Sequence, residues 1–253
     1  MALQLSVVVP AFNEALRLGP TLDRLCEFAR TLPGGAEIVV VDDGSSDGTG
    51  DLEHRPEFLG RPGLRWLRLP ANRGKGAALR AGVLASVGDE VLLCDADLST
   101  PIEDYELLRP HLARAAVVLG SRGVPESKIG RRQPLYRELM GRLFNLMVRV
   151  VAVDGIRDTQ CGFKLLRGDL ARKLFADLRI DRFAYDVELI WLARRRGLEV
   201  AEVGVTWVDS PASSVHAVRD SSRMLADILR IRWLHRREPA VARSAGSESR
   251  ERA

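Results

Sequence analysis

The run Val91-Leu92-Leu93-Cys94 ends abruptly in Asp95-Ala96-Asp97-Leu98-Ser99-Thr100-Pro101. Four consecutive apolar residues predict a strand buried on both faces, the environment of a parallel sheet. The loop after such a strand lies at the carboxyl edge of the sheet, where open α/β folds bind ligands. Side chains two apart in an extended segment point the same way, so Asp95 and Asp97 are placed to share one divalent cation. The alternative use of Asp97 is as the cap of a helix starting near Pro101.

The stretches before it repeat the pattern. Leu5–Val9 is an apolar strand closed by Pro10, followed by Ala11-Phe12-Asn13-Glu14 and an amphipathic helix over about Leu18–Arg30 that Pro33-Gly34-Gly35 breaks. Glu37–Val41 is a second buried strand delivering Asp42-Asp43-Gly44-Ser45-Ser46-Asp47-Gly48, and Leu64–Leu69 alternates like a third. Asn72-Arg73-Gly74-Lys75-Gly76 leads into a helix over Ala77–Ser86, then Glu90–Cys94 is the fourth strand. Strand and helix alternating at roughly 30-residue intervals predict an α/β fold with a mostly parallel, doubly wound sheet, every polar loop at one edge.

Composition narrows the class. The chain has 253 residues, 46% hydrophobic and 28% charged, enough for one sizeable core. A net charge of +4 on a chain of pI about 9.2 implies no nucleic-acid partner. Cys26, Cys94 and Cys161 are scattered and odd in number, as expected of reduced thiols in a cytosolic protein. No apolar run reaches the roughly 18 to 20 residues of a membrane span, and Met1–Ser6 does not read as a signal peptide.

A dinucleotide-binding turn needs G-x-G-x-x-G after the first strand, and Pro10-Ala11-Phe12-Asn13-Glu14 has no glycine. Gly74-Lys75-Gly76 is not a P-loop, because four residues should separate its glycines and a Ser or Thr should follow the lysine. What remains is a nucleotide site made of acids, one accepting base or ribose hydrogens and a pair holding a metal on a diphosphate.

Val7-Val8-Val9-Pro10-Ala11-Phe12-Asn13-Glu14, Val41-Asp42-Asp43-Gly44-Ser45-Ser46-Asp47-Gly48-Thr49, Asn72-Arg73-Gly74-Lys75-Gly76 and Asp95-Ala96-Asp97, in that order, resemble the inverting family 2 glycosyltransferases of the GT-A fold. Gly120-Ser121-Arg122, Arg157-Asp158-Thr159-Gln160-Cys161-Gly162-Phe163-Lys164 and Arg182-Phe183-Ala184-Tyr185-Asp186-Val187-Glu188-Leu189 narrow the resemblance to the dolichyl-phosphate β-glucosyltransferase branch, related to the dolichyl-phosphate mannose synthases. It runs from about Leu5 to Trp233.

The resemblance implies that Pro10, Ala11, Glu14, Asp42, Lys75, Asp95, Ala96 and Asp97 line the nucleotide-sugar site, with Asp42 accepting a uracil N–H and Asp95 and Asp97 holding Mg2+ or Mn2+. Asp43 to Asp47 is also a strong turn sequence. Where the mannose synthases place a metal-binding glutamine, this chain has Ser99. With a polyprenyl phosphate acceptor the nucleophile is already anionic, so cations matter more than a base. Arg122, at the end of a strand over Ala116–Gly120, comes first, with Arg131 and Arg132 behind it for the acceptor phosphate. Surface ion pairing is the alternative for each. Asp158 and Asp186 complete the candidate catalytic set with Arg122, and Asp186 and Glu188 share a face if extended. Asp158 has the alternative of a cap or turn before Gly162, and Cys161 reads as packing. After a strand over Val200–Val208, relatives carry a Ser-Lys pair; here the lysine position is Ser214, with Arg219 as a possible substitute.

Residues 1–215 thus form the expected catalytic domain, with an amphipathic helix at about 134–152, a second at 216–237 and a disordered tail at 238–253. Both helices have basic polar faces, suited either to packing on the sheet or to a lipid interface. The second brings Met224, Leu225, Ile228, Leu229, Ile231 and Trp233 to one broad apolar side. The expectation is an enzyme moving glucose from UDP-glucose to a polyprenyl phosphate, peripherally attached at the cytoplasmic face of a membrane. The alternatives are a GDP-mannose-dependent enzyme on the same lipid, a soluble transferase with a hydroxyl acceptor, and a sugar-nucleotide-binding module without turnover.

Overall fold

The structure, a computed structural model, describes residues 3–131, 155–208 and 217–238; for Arg131, residues 217–223 and Leu225 it describes the backbone alone. Its centre is a seven-stranded sheet in the order β3-β2-β1-β4-β7-β5-β8. The strands are β1 (Leu5–Ala11), β2 (Ala36–Asp42), β3 (Leu64–Arg68), β4 (Glu90–Leu93), β5 (Val117–Ser121), β7 (Lys164–Arg167) and β8 (Val200–Gly204). β7 runs antiparallel to both neighbours and the other pairings are parallel. β6 (Lys128–Arg131) and β9 (Thr206–Val208) form a separate parallel pair.

Successive side chains of a strand point to opposite faces, and the buried sets follow that period. Val8, Val39, Val41, Leu93 and Leu119 pack with α2 (Lys75–Ala85), α4 (Gly168–Asp177), α5 (Tyr185–Arg195) and α6 (Ala217–Leu234). Val7, Val9, Val40, Leu92 and Val118 pack with α1 (Leu18–Thr31) and the short α3 (Tyr105–Leu108) on the other face. The sheet is therefore doubly wound, as the alternation of runs predicts. β1 lies between β2 and β4, so the chain reverses its direction of winding there and opens a crevice at the carboxyl edge.

Several boundaries differ from expectation for identifiable reasons. The predicted strand Val200–Val208 divides at Val205, whose N–H bonds Ser121 O while its carbonyl accepts from Lys128 N, so the ladder passes from β5 to β6. Asp95 and Asp97 are not extended: β4 stops at Leu93, Leu98 N bonds Asp95 O at 3.2 Å, and Leu98 has φ +46°. Asp186 and Glu188 lie in α5, about 200° apart around the helix, rather than on one face of a strand.

In α6, Met224, Ile228 and Ile231 are buried in the core, whereas Leu229 and Trp233 are about three-fifths exposed, at 60% and 61%. Glu238, expected to begin the tail, is tied down: its carbonyl accepts from Arg195 and its carboxylate from Arg196. The expected helix at 134–152, the Ser210–Val215 loop, Arg132 and residues 239–253 lie outside the described residues, as does the side chain of Arg219. The three cysteines are free and buried. Among the described residues no helix is long and apolar enough to cross a membrane.

Candidate active site

The crevice between β1 and β4 is built by loops that hold one another. Asn13, in the left-handed region at φ +56°, receives Ser46 N on its Oδ1 and gives its own N–H to Ser45 Oγ. Glu14 N bonds Thr49 Oγ1 and Ala15 N bonds Asp47 Oδ2, so the turn after β1 is stitched to the turn after β2. Gly44 has φ +72°, and a Cβ there would lie 2.6 Å from the Ala71 carbonyl carbon, so the third loop can close on the second only over glycine. Asp43 accepts Arg73 N at 2.9 Å and Gly74 N at 2.7 Å, which aims the first turn of α2 at the crevice. Burial raises the Asp43 pKa against the pull of those two N–H groups. Asp43 and Asp47 thus serve the turn that is one reading of their sequence.

Asp42 is different. It is 1% exposed, its Oδ1 accepts Ser45 N, and its Oδ2 is buried without a hydrogen-bond partner, though Arg68 Nε lies 3.3 Å away. A buried carboxylate oxygen left without a hydrogen bond needs a reason, and a ligand donor is one. Glu14 is half-buried and gripped by Arg17 through two bonds of 2.7 and 2.6 Å; burial raises its pKa despite that partner. Arg17 also comes within 3.9 Å of Asp97. Pro10 and Ala11 end β1 beneath this loop, and the carbonyl of the buried Ala96 accepts from Thr21 at 2.7 Å.

Asp95 and Asp97 both remain partly exposed at the crevice. Asp97 Oδ1 accepts Ser99 N in a local turn, and no side-chain cap forms on the 3-10 turn after Pro101. Asp95 pairs with Lys75 Nζ at 2.5 Å. Burial would raise the Asp95 pKa, but Lys75, then Lys164 and Arg122, hold it below its usual value. A Cβ on Gly162 would overlap the Asp95 carboxylate, so glycine there leaves the carboxylate its place. Among the described residues no cluster of three or more His, Cys, Asp or Glu makes a closed metal cage. Two carboxylates open to solvent do fit Mg2+ or Mn2+, hard cations that take remaining ligands from phosphate and water.

Across the crevice stand two further ion pairs. Arg122 follows β5 and grips Asp158 through Nε at 2.7 Å and Nη2 at 3.0 Å, with its own N–H adding a third bond. Asp158 N is fastened to Glu202 of β8, and Gln160 N bonds the Asp158 carboxylate. Burial acts to raise the Asp158 pKa, yet the adjacent guanidinium and these donors bring it down to about 2. Arg122 also lies 5.6 Å from the centre of the Trp207 ring.

The second pair is Lys164 with Asp186, 2.5 Å apart and almost wholly buried. Because β7 is antiparallel, its first residue sits at the same edge, opposite Leu93 and Leu119, and Lys164 also donates to Cys161 O. Burial raises the Asp186 pKa, opposed by Lys164 and Lys75. Lys75–Asp95, Lys164–Asp186 and Arg122–Asp158 are thus three cation–carboxylate pairs at one edge.

An Asp158 pKa held at about 2, against roughly 3.9 in an unfolded chain, gives a pH prediction. A carboxylate depressed on folding stabilises above its unfolded pKa, and the benefit is lost as pH falls through the folded one. Asp158→Asn is expected to lose about 2 kcal/mol near neutral pH, a deficit that narrows between about pH 5 and pH 2, read by urea titration.

Of the predicted residues, the structure gathers Glu14, Asp42, Lys75, Asp95, Asp97, Arg122, Asp158 and Asp186 at one sheet edge. Arg131 closes β6 nearby in the chain, described by its backbone alone. Sequence reasoning gave no role to Lys164, Arg17 or Trp207. It also missed His235, whose Nε2 meets the buried Glu188 at 2.5 Å and fixes the end of α6 to α5. Glu188 additionally accepts the N–H groups of Arg179 and Ile180, so it is a structural acid.

Such a sheet, with a nucleotide-type crevice at its switch point and paired acids after β4, defines a GT-A glycosyltransferase. The glycosyl transferase family 2 model matches residues 6–175. A dolichyl-phosphate beta-glucosyltransferase of Dictyostelium discoideum is 36% identical over 245 residues, 90% of this chain and 74% of that protein. The human protein of the same name is 35% identical over 242 residues, 90% of this chain and 75% of its own. The chain belongs to glycosyl transferase family 2, in its dolichyl-phosphate β-glucosyltransferase-like branch. Solved structures agree in fold. A mannosyl-3-phosphoglycerate synthase from Rubrobacter xylanophilus aligns with TM-score 0.66 at 23% identity over 97% of this chain and 78% of its own. A glucosyl-3-phosphoglycerate synthase from Mycobacterium tuberculosis, in complex with Mn2+, uridine diphosphate and glucosyl-3-phosphoglycerate, aligns with TM-score 0.63 at 21% identity over 90% and 79%.

Proposed function

We propose that the protein transfers glucose, with inversion, from UDP-glucose to a polyprenyl phosphate of the dolichyl type, using Mg2+ or Mn2+ at the cytoplasmic face of a membrane. The observation that carries the acceptor is the state of the two acids nearest the reacting edge. Asp158 is bound by Arg122 and Asp186 by Lys164, so neither is a free base. A sugar hydroxyl acceptor needs a base to take its proton, whereas a phosphate oxygen attacks as an anion. What a phosphate does need is a fixed cation, and Asp158 holds Arg122 as one.

On the donor side Asp42 offers Oδ2, which among the described residues makes no hydrogen bond and has only the Arg68 ion pair at 3.3 Å, to the uracil N–H, and Lys75, at the N-terminus of α2, faces the diphosphate. Asp95 and Asp97 would hold the divalent cation, which offsets the charge that grows on the leaving diphosphate. Arg122 orients the acceptor phosphate against the sugar carbon. Attachment to the membrane is supported by α6, where Leu229 and Trp233 stand exposed beside Arg230, Arg232, Arg236 and Arg237.

The test is transfer of radiolabelled sugar from UDP-glucose, and in parallel GDP-mannose, to a short polyprenyl phosphate, with the label followed into organic solvent. Label entering the lipid phase from UDP-glucose alone is the expected result. Label from GDP-mannose alone would reassign the donor, and free sugar with no lipid product would overturn the acceptor. Sedimentation with anionic but not neutral vesicles checks the membrane contact.

A further inference from the structure

The small sheet of β6 and β9 carries features that the donor site does not use. β9 is suspended from the donor side of the molecule: Val208 N bonds Ser99 O at 2.9 Å, and Thr206 N bonds Asp104 Oδ2 at 2.6 Å. Between these anchors Trp207 lies over the Arg122 guanidinium, with 5.6 Å from Cζ to the ring centre. Arg122 is therefore held along one edge by Asp158 and lies over an indole as well. A two-stranded sheet is marginal alone, so the two anchors are what keep Trp207 in register with the cation.

Ile129 is the residue paired with Trp207 across the ladder. Paired residues of a ladder project from the same face, so Ile129 stands beside the indole. Ile129 is 39% exposed, next to an indole that is itself partly exposed. Apolar side chains left open beside a buttressed guanidinium match a ligand whose anionic head is joined directly to hydrocarbon. A free sugar phosphate or a glycerate has nothing to place on Ile129.

We propose that Trp207 and Ile129 form the apolar step that receives the first isoprene unit of the acceptor, while the indole holds Arg122 for the acceptor phosphate. This rests on the polyprenyl phosphate reading above and assigns residues to its lipid end. Trp207 then has two contributions, a cation–π contact and hydrocarbon contact, and Ile129 only the second.

The experiment uses the full-length protein with UDP-glucose and two acceptors, a short polyprenyl phosphate and methyl phosphate, an alkyl phosphate that carries the anionic head without a hydrocarbon chain. Trp207→Ala is expected to raise KM for polyprenyl phosphate by about 10- to 100-fold, the combined scale of a cation–π contact and one buried isoprene edge. It should weaken the alkyl phosphate as well, because Arg122 loses its support. Ile129→Ser should raise KM for polyprenyl phosphate about tenfold and leave alkyl phosphate unchanged. Equilibrium binding of UDP-glucose should be unaffected in both, and Trp207→Phe should recover most of the loss.

Equal weakening of UDP-glucose binding and acceptor KM in Trp207→Ala would overturn the proposal, leaving β9 as a brace for the donor loop. So would an acceptor KM unchanged in Trp207→Ala, Trp207→Phe and Ile129→Ser, with thermal melts confirming folded protein. Wild-type protein that labels no polyprenyl phosphate would overturn the acceptor reading itself, and this inference with it, which the variants do not need to decide.

Discussion

Asp97→Ala is expected to lower glucosyl transfer by about 1000-fold or more, while the protein stays folded, because its role is to offset charge at the leaving diphosphate. Asp97 lies in a loop after β4 with 23% of its side chain exposed, so no core contact is lost. The structural cost is the Asp97 Oδ1 contact with Ser99 N at 3.0 Å, worth about 1 kcal/mol, and a partly exposed ion pair with Arg17 at 3.9 Å that adds little. Asp97→Asn separates the two effects, since an amide oxygen can still accept from Ser99 N while the negative charge is gone. Both variants should be inactive, and Asp97→Asn should melt close to wild type. Loss of the Mn2+-dependent gain in UDP-glucose binding is the second readout. Wild-type protein that keeps more than about a tenth of its activity in excess EDTA would sink the metal role.

How much of this was legible in the sequence depends on whether a feature is local. The buried runs of β1, β2 and β4 announce themselves through composition, and the loops after them must then share an edge. That reasoning places Asp42, Asp95 and Asp97 together without coordinates. It fails where the third dimension chooses the partner. Asp186 and Glu188 sit two apart, which reads as one face only if the segment is extended; Tyr185 begins a helix, and the two acids turn to Lys164 and His235 instead. The predicted strand Val200–Val208 reads as one segment, with Val200, Val203, Val205, Trp207 and Val208 along it, yet Val205 is where its ladder changes partner. Arg122 and Asp158 were each legible as candidate site residues from motifs 36 positions apart, but not the bidentate contact that makes the acid a support for the cation. A lysine that opens an apolar strand reads as a surface residue, and only the antiparallel insertion of β7 between β4 and β5 shows that Lys164 is central.

That lysine is the basis of the largest expected effect on stability. Lys164 is 0% exposed and Asp186 5%, and their contact is 2.5 Å. Removing one partner of a buried pair leaves an uncompensated charge, so Lys164→Met is expected to cost about 3 to 5 kcal/mol at pH 8 by chemical denaturation. The sign of the pH dependence comes from the acid left behind. Burial already raises the Asp186 pKa even with Lys164 beside it, so without the lysine the folded state holds that proton more firmly still. A group that binds its proton more tightly when folded loses stability as pH rises, so the variant's deficit should shrink toward pH 5. The double variant Lys164→Met/Asp186→Leu removes both charges and should recover most of the stability at pH 8 with little pH dependence, since apolar replacements of a buried pair are often neutral or stabilising. A Lys164→Met protein within about 1 kcal/mol of wild type at pH 8 would show that Asp186 finds another partner, and Lys75, whose charge already lowers the Asp186 pKa, is the cation in reach. In that case Lys75 would be drawn from Asp95, and UDP-glucose binding would fall although the fold survived; in the expected case, stability falls first.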